Sequence, residues 1–167
     1  MRVLLLNPSI RSEQFGRFAS LLEAMPCIGV AYVGTFLSRA GHSVRIYDDF
    51  ALRGGQEAIL EEISSFRPDA LGVSVLTPVA TDVQELLRNV RDRWPRMRIF
   101  TGNIHADLFP EESLEYADAV IHGEAERGSV ELLAAWEAGR DGRGIAGVTV
   151  KVADELHSGP HRPLDDD

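Results

Sequence analysis

The feature that most constrains this chain is the stretch from Leu71 to Gly102. It opens on an apolar run, Ala70-Leu71-Gly72-Val73-Ser74-Val75-Leu76, and closes on another, Met97-Arg98-Ile99-Phe100-Thr101-Gly102. Between them Val79, Val83, Leu86, Leu87 and Val90 recur at helical spacing, and Trp94-Pro95 ends the segment. Strand, crossover helix and strand make the βαβ unit of a parallel sheet. Small polar residues stand at the carboxyl ends of both strands: Ser74 and Thr77, then Thr101, Gly102 and Asn103. In an open α/β sheet a ligand lies in the crevice outside those ends, so a site is expected there.

The pattern extends in both directions. Val3-Leu4-Leu5-Leu6 reads as a strand buried on both faces, stopped by Asn7-Pro8-Ser9. Residues 10 to 28 keep no period, a long connection of the kind that carries function or mobility. A helix is expected from about Ile28 to Ala40, with Gly41 just past its end and a small face of Gly29, Ala31 and Gly34. Val44-Arg45-Ile46-Tyr47-Asp48 reads as the second strand. A helix from about Gly55 to Phe66 follows and stops before Pro68. After Gly102 come a loop, Asn103-Ile104-His105-Ala106, a short helical stretch near Pro110 to Tyr116, and a fifth strand, Ala117 to Ile121. His122-Gly123-Glu124-Ala125-Glu126 then leads into a helix bearing Val130, Leu133 and Trp136. Gly147 to Lys151 reads as an edge strand or hairpin arm, and residues 157–167, polar and ending on charge, as a linker. The expected fold is α/β: a doubly wound, flavodoxin-like (Rossmann-like) parallel sheet of about five strands in the order 2-1-3-4-5. Its switch point lies between strands 1 and 3, so the loops after Leu6, Leu76, Gly102 and Ile121 converge on one crevice.

Composition narrows the occupants. The 167 residues suit one domain, here bounded at 1–156, and the net charge of −9 disfavours nucleic acid and anionic membranes. No apolar run approaches the roughly 18 residues of a membrane span. Met1-Arg2 leads straight into a strand, so no signal peptide is expected. Cys27 is the only cysteine, which excludes an internal disulfide, a CxxC zinc site and a cysteine-ligated cluster within the chain, and fits a reducing cytoplasm. The loop after strand 1 lacks GxGxxG and a P-loop, and Ser9 and Ser12 alone make a poor flavin-phosphate loop. A receiver-type phosphorylation site needs Asp where Ser74 stands. His157 and His161 share an i, i+4 spacing, but their tail setting reads as solvated rather than zinc-binding.

Four segments occur in order: Pro26-Cys27-Ile28-Gly29-Val30-Ala31-Tyr32, Ser74-Val75-Leu76-Thr77-Pro78, Gly102-Asn103-Ile104-His105-Ala106 and Gly123-Glu124-Ala125-Glu126. Together, over about residues 2 to 138, they resemble the N-terminal cobalamin (B12)-binding domain of B12-dependent radical S-adenosylmethionine enzymes. The resemblance implies that Ser74, in a Ser-x-Leu element, touches the cofactor's nucleotide tail and that Gly102 makes room for it. Small residues at Gly29, Gly34, Gly72 and Gly102 suit a buried benzimidazole, and a hydroxyl can satisfy a tail atom otherwise left unpaired. The cofactor-binding residues it implies are Asn7, Pro8, Ile28, Gly29, Ser74, Leu76, Thr77, Gly102, Asn103, His105, Gly123 and Glu124; no catalytic or metal-ligating residue is assigned. Two departures stand out. The Asp-x-His-x-x-Gly motif, whose His ligates cobalt in the mutases, is missing: with Gly29 as its last residue, Pro26 takes the His position and Ala24 the Asp position. This points to the radical subgroup, methyltransferase or cyclase, with the cofactor base-off and His-off. The usual Gly-Gly is Gly102-Asn103. S-adenosylmethionine and a 4Fe-4S cluster are expected only in a C-terminal barrel partner, since CxxxCxxC is absent. The chain then reads as a non-catalytic module or truncated product.

Plainer readings stand beside these. Ser74 and Thr77-Pro78 would serve as helix caps, Gly102 as a tight turn, and Glu124 and Glu126 as acids at a helix N-terminus. Cys27 and Met25 would be structural. The rivals to a cobalamin module are a small enzyme using His105 and Glu124, and an interaction domain with an empty crevice.

Overall fold

The structure, a computed structural model, describes residues 1–9 and 27–163. A seven-stranded sheet runs in the order β2-β1-β3-β4-β5-β6-β7. The first five strands are β1 (Arg2–Asn7), β2 (Ser43–Asp48), β3 (Ala70–Ser74), β4 (Arg98–Gly102) and β5 (Ala119–Ile121), all parallel in the expected order. The hairpin of β6 (Val148–Val152) and β7 (Glu155–Ser158) adds an antiparallel edge. The long helices are α1 (Ile28–Arg39), α3 (Gly55–Phe66), α4 (Ala80–Arg93) and α7 (Ala125–Glu137). Three short ones, α2 (Asp49–Leu52), α5 (Ile104–Leu108) and α6 (Pro110–Ser113), lie after β2 and β4.

The strands alternate between two cores. Leu4, Leu6, Leu71, Val73, Ile99 and Val120 face α3 and α4. Val3, Leu5, Phe100, Ala119 and Ile121 face α1 and α7. Apolar side chains on both faces explain why these strands read as continuous runs. Gly41, at φ +93°, turns the chain out of α1, and Arg67, left-handed at φ 50°, ends α3 ahead of Pro68.

Three segments differ from the sequence expectations. The loop expected at 103–106 is helical, because the Asn103 side chain accepts from the Ile104 N–H and opens α5. Asp48 caps α2 in the same way, accepting from Ala51. His157 and Ser158, expected in a linker, belong to β7. A turn at Ala153-Asp154, both at positive φ, folds β7 back on β6. Residues 159–162 then lie along the sheet: Gly159 N–H donates to the Val148 carbonyl at 2.8 Å, and Arg162 reaches Glu131 at 2.6 Å and the Ala146 carbonyl at 3.1 Å. Polar content made this stretch look unstructured; its ladder is a backbone pattern that needs no apolar period. Residues 164–167 and 10–26, which include Arg11, Ser12, Ala24, Met25 and Pro26, fall outside the described residues. Among the described residues no helix is long and apolar enough to cross a membrane.

Candidate functional site

Side-chain parity builds the site. Leu5, Gly72, Ser74, Phe100, Gly102 and Ile121 lie on the sheet face covered by α1 and α7. At the carboxyl ends of β3, β4 and β5 the two helices begin, and a crevice of about 320 Å³ opens between them. Cys27, Gly29, Val30 and Val33 form one wall, and the loop from Gly123 to Glu126 the other. The volume lies at the lower end of small-molecule sites, about 300–1,000 Å³.

The glycines divide into two kinds. A Cβ on Gly29 would meet nothing within 4 Å, and Gly123, at φ +63°, is equally open. A Cβ on Gly102 would come 3.3 Å from the Ile121 carbonyl oxygen, so the backbones of β4 and β5 are close there. Gly34 and Gly72, expected to free space for a tail, do not: Ile46 Cδ1 would lie 3.1 Å from a Cβ on Gly34, and the Phe100 ring fills the space over Gly72. They serve packing of helix on sheet and ring on strand.

Ser74 and Gly102 are register partners across β3 and β4. The chain then crosses over: Val75 N–H donates to the Gly102 carbonyl at 2.8 Å, and His105 N–H to the Val75 carbonyl at 3.1 Å. Asn103 Nδ2 donates to Ser74 Oγ at 2.9 Å. Behind the far wall His122, just before Gly123, is held from two sides. Its Nδ1 lies 2.5 Å from Asp107 and its Nε2 2.8 Å from Thr149, whose hydroxyl is 2.9 Å from that of Ser158. This row ties α5, β6 and β7 to the crevice rim.

Of the sequence-expected site residues, Gly29, Ser74, Gly102, Asn103, Gly123 and Glu124 line the crevice. Asn7 turns away to Asp48, donating at 2.9 Å, and Pro8 lines a separate recess beside Asp49 and Asp82. Ile28 and Leu76 are exposed near it without lining it. Thr77 and Pro78 form the first turn of a 3-10 segment, Thr77–Val79, ahead of α4. His105 is only 6 % exposed, against Phe109 with ring centroids 5.0 Å apart and Nε2 3.6 Å from Glu112. It does not line the crevice, so the constellation of His105 with Glu124 required by the small-enzyme reading does not form. Sequence reasoning missed Val30, Val33, Phe100 and Ile121 as crevice walls. The helical step from Gly29 to Val33, and the two-residue step from Phe100 to Gly102, were the available signals.

A profile of the B12 binding domain matches residues 17–133. An uncharacterized methyltransferase of Pyrococcus horikoshii is 29% identical over 142 residues, 83% of this chain and 31% of that protein. The anaerobic magnesium-protoporphyrin IX monomethyl ester cyclase of Rubrivivax gelatinosus is 26% identical over 144 residues, 84% of this chain and 25% of that protein. The radical S-adenosylmethionine methyltransferase TsrM from Kitasatospora setae, solved with cobalamin and a 4Fe-4S cluster, superposes with a TM-score of 0.77 at 22% identity, covering 100% of this chain and 30% of that one. The chain thus spans less than a third of the length of these relatives. The structural likeness speaks for the fold. The matched segment contains β2 to β5 and both walls of the crevice, and on that ground the chain belongs to the B12 binding domain family.

Proposed function

We propose that this chain is the cobalamin-binding module of a B12-dependent radical S-adenosylmethionine enzyme of methyltransferase or cyclase type. The crevice between α1 and α7 carries the reading: an apolar floor, open glycines at 29 and 123, and the hydroxyl residues Ser74 and Thr101, in a chain of this family. The residues fit the group in parts. A crevice of about 320 Å³ suits the nucleotide tail and not the corrin, which would rest over the strand ends near the exposed Leu76 and Ile104. Ser74 would bind a tail heteroatom, and Gly29 and Gly123 leave room beside it. When bound, cobalamin supplies a cobalt centre that accepts and hands on a one-carbon group. S-adenosylmethionine and the cluster would belong to a C-terminal barrel partner; TsrM, solved with cobalamin and a 4Fe-4S cluster, supports the pairing.

The base-off, His-off state is part of the proposal. Among the described residues no imidazole lines the crevice. His42 sits near the Met1 amino group, His105 is buried elsewhere, and His122 is held by Asp107 and Thr149. Calorimetric titration with hydroxocobalamin tests binding: heat with saturation is expected, and no heat at millimolar cofactor would refute it. Electron paramagnetic resonance of the bound cobalt(II) state tests ligation. The expected spectrum lacks nitrogen splitting; a threefold superhyperfine pattern would mean a coordinated benzimidazole or histidine and end the base-off, His-off assignment.

A further inference from the structure

We propose that β2, a free edge of the sheet, pairs antiparallel with β2 of a second copy of this chain, about a two-fold axis centred on Ile46. This pairing does not depend on cobalamin. The two edges of the sheet differ in kind. β7 has four residues, carries Glu155 and His157 and is followed by Pro160, features that discourage strand addition. β2 has six residues and no proline. The charge in its middle, Arg45, is turned onto α3 of its own chain: it lies 2.6 Å from Glu62, with its guanidinium 4.4 Å from the Phe66 ring centroid. Ile46, next to it, is 44 % exposed. An apolar residue on an unguarded edge invites pairing with another strand.

The strand is complementary to itself in one register. Ser43 N–H donates to the Met1 carbonyl at 3.0 Å, so the peptide groups of 43, 45 and 47 turn toward β1 and those of Val44, Ile46 and Asp48 turn outward. A two-fold axis perpendicular to the sheet keeps each face on its own side, so only residues of one face can stand opposite each other. Centred on Arg45, the axis would oppose two guanidinium groups, which is unfavourable. Centred on Ile46, it sets Ile46 against its copy, Arg45 opposite Tyr47 and Val44 opposite Asp48. The outward peptide groups of Ile46 then bond to their copies, and those of Val44 to Asp48. Charge completes the fit. Arg39 lines a groove with Ala31, Thr35, Ser38, Val44 and Ile46, and among the described residues it makes no ion pair. Asp48 takes both Asn7 and the Ala51 N–H on Oδ1, which leaves Oδ2 for a cation. The register brings Asp48 of the second copy beside Val44 and so to Arg39, twice about the axis. Ala31, Thr35 and Ser38 keep this flank of α1 low enough for its copy to approach. Cys27 and Val33 line the crevice from the other flank, so the crevice stays open.

Sedimentation velocity on the 167-residue chain tests the pairing. Between about 1 µM and 1 mM protein the mass should rise from 18.4 kDa to twice that value. Ile46→Lys sets two ammonium groups face to face and should stay at the monomer mass throughout. Arg39→Glu should raise the midpoint concentration by at least about tenfold. Circular dichroism melts check that both variants fold, and the exposed Arg39 can be replaced without touching the core. Oxidation in a Cys27→Ser background reads the register. Ile46→Cys should cross-link, because hydrogen-bonded opposite residues of antiparallel strands have Cα atoms about 5.5 Å apart, within disulfide reach. Arg45→Cys should not. A parent chain that stays monomeric across the range would overturn the proposal. So would a dimer that neither Ile46→Lys nor Arg39→Glu weakens, or one that Arg45→Cys cross-links and Ile46→Cys does not.

Discussion

Gly29 occupies the first turn of α1 with open space around the position of its missing side chain. Glycine there costs the helix about 1 kcal/mol relative to alanine, a cost that close packing does not explain. Room at the crevice wall does. Gly29→Leu should therefore melt at or above the parent temperature and lose cobalamin affinity by at least about tenfold. Unchanged affinity would mean that the tail lies elsewhere. Ser74→Ala should weaken binding by about 1–3 kcal/mol, since the tail acceptor and the Asn103 amide both lose their partner. Titration calorimetry reads both variants. Ser74 and Gly102 were legible as crevice residues because they end apolar strands at a switch point. Side-chain direction was less legible. In strands buried on both faces, alternation groups Ala70 with Gly72 and Ser74, but nothing in the sequence tells which helices that face meets. The packing of Gly72 under Phe100 was invisible for that reason; the burial of His105 on Phe109 was hidden because the segment reads as a loop and folds as α5.

At the scale of elements, the order of β1 to β5 followed from the spacing of apolar runs and crossover helices. The first arm of the β6–β7 hairpin was legible in Gly147 to Lys151; the second was not, because β7 is polar and its pairing lies in the backbone. The hairpin matters to the site: through Thr149 and Ser158 it holds His122, and so the loop that carries Gly123 and Glu124. At the opposite edge of the sheet, His42 couples the end of α1 to α7. It is 9 % exposed, with Nδ1 3.2 Å from the Met1 amino group and 3.6 Å from Glu137. Burial lowers its pKa below 6.5; Glu137 works against the shift and the amino group adds to it. Below about pH 6.5 the unfolded chain therefore takes up a proton that the folded chain resists, and stability falls as pH drops through this window. Thermal melts at pH 7.5 and 5.5 should show a larger loss for the parent than for His42→Gln. Equal losses would remove His42 as the source.

At the scale of the molecule, β7 runs antiparallel to β6 and brings the chain back to the sheet edge where the crevice opens. There Gly147 N–H donates to the Pro160 carbonyl at 2.8 Å, and the Gly147 carbonyl accepts from His122 N–H at the same distance. Arg162, beside it, is held by Glu131 of α7 at 2.6 Å and by the Ala146 carbonyl at 3.1 Å. The curated relatives are about three times as long as this chain. The most direct test of the central claim is to mix the chain with excess hydroxocobalamin, desalt it and record the visible spectrum of the protein fraction. The corrin chromophore is expected to elute with the protein, at up to one per chain. A colourless protein fraction after loading at millimolar cofactor would contradict it.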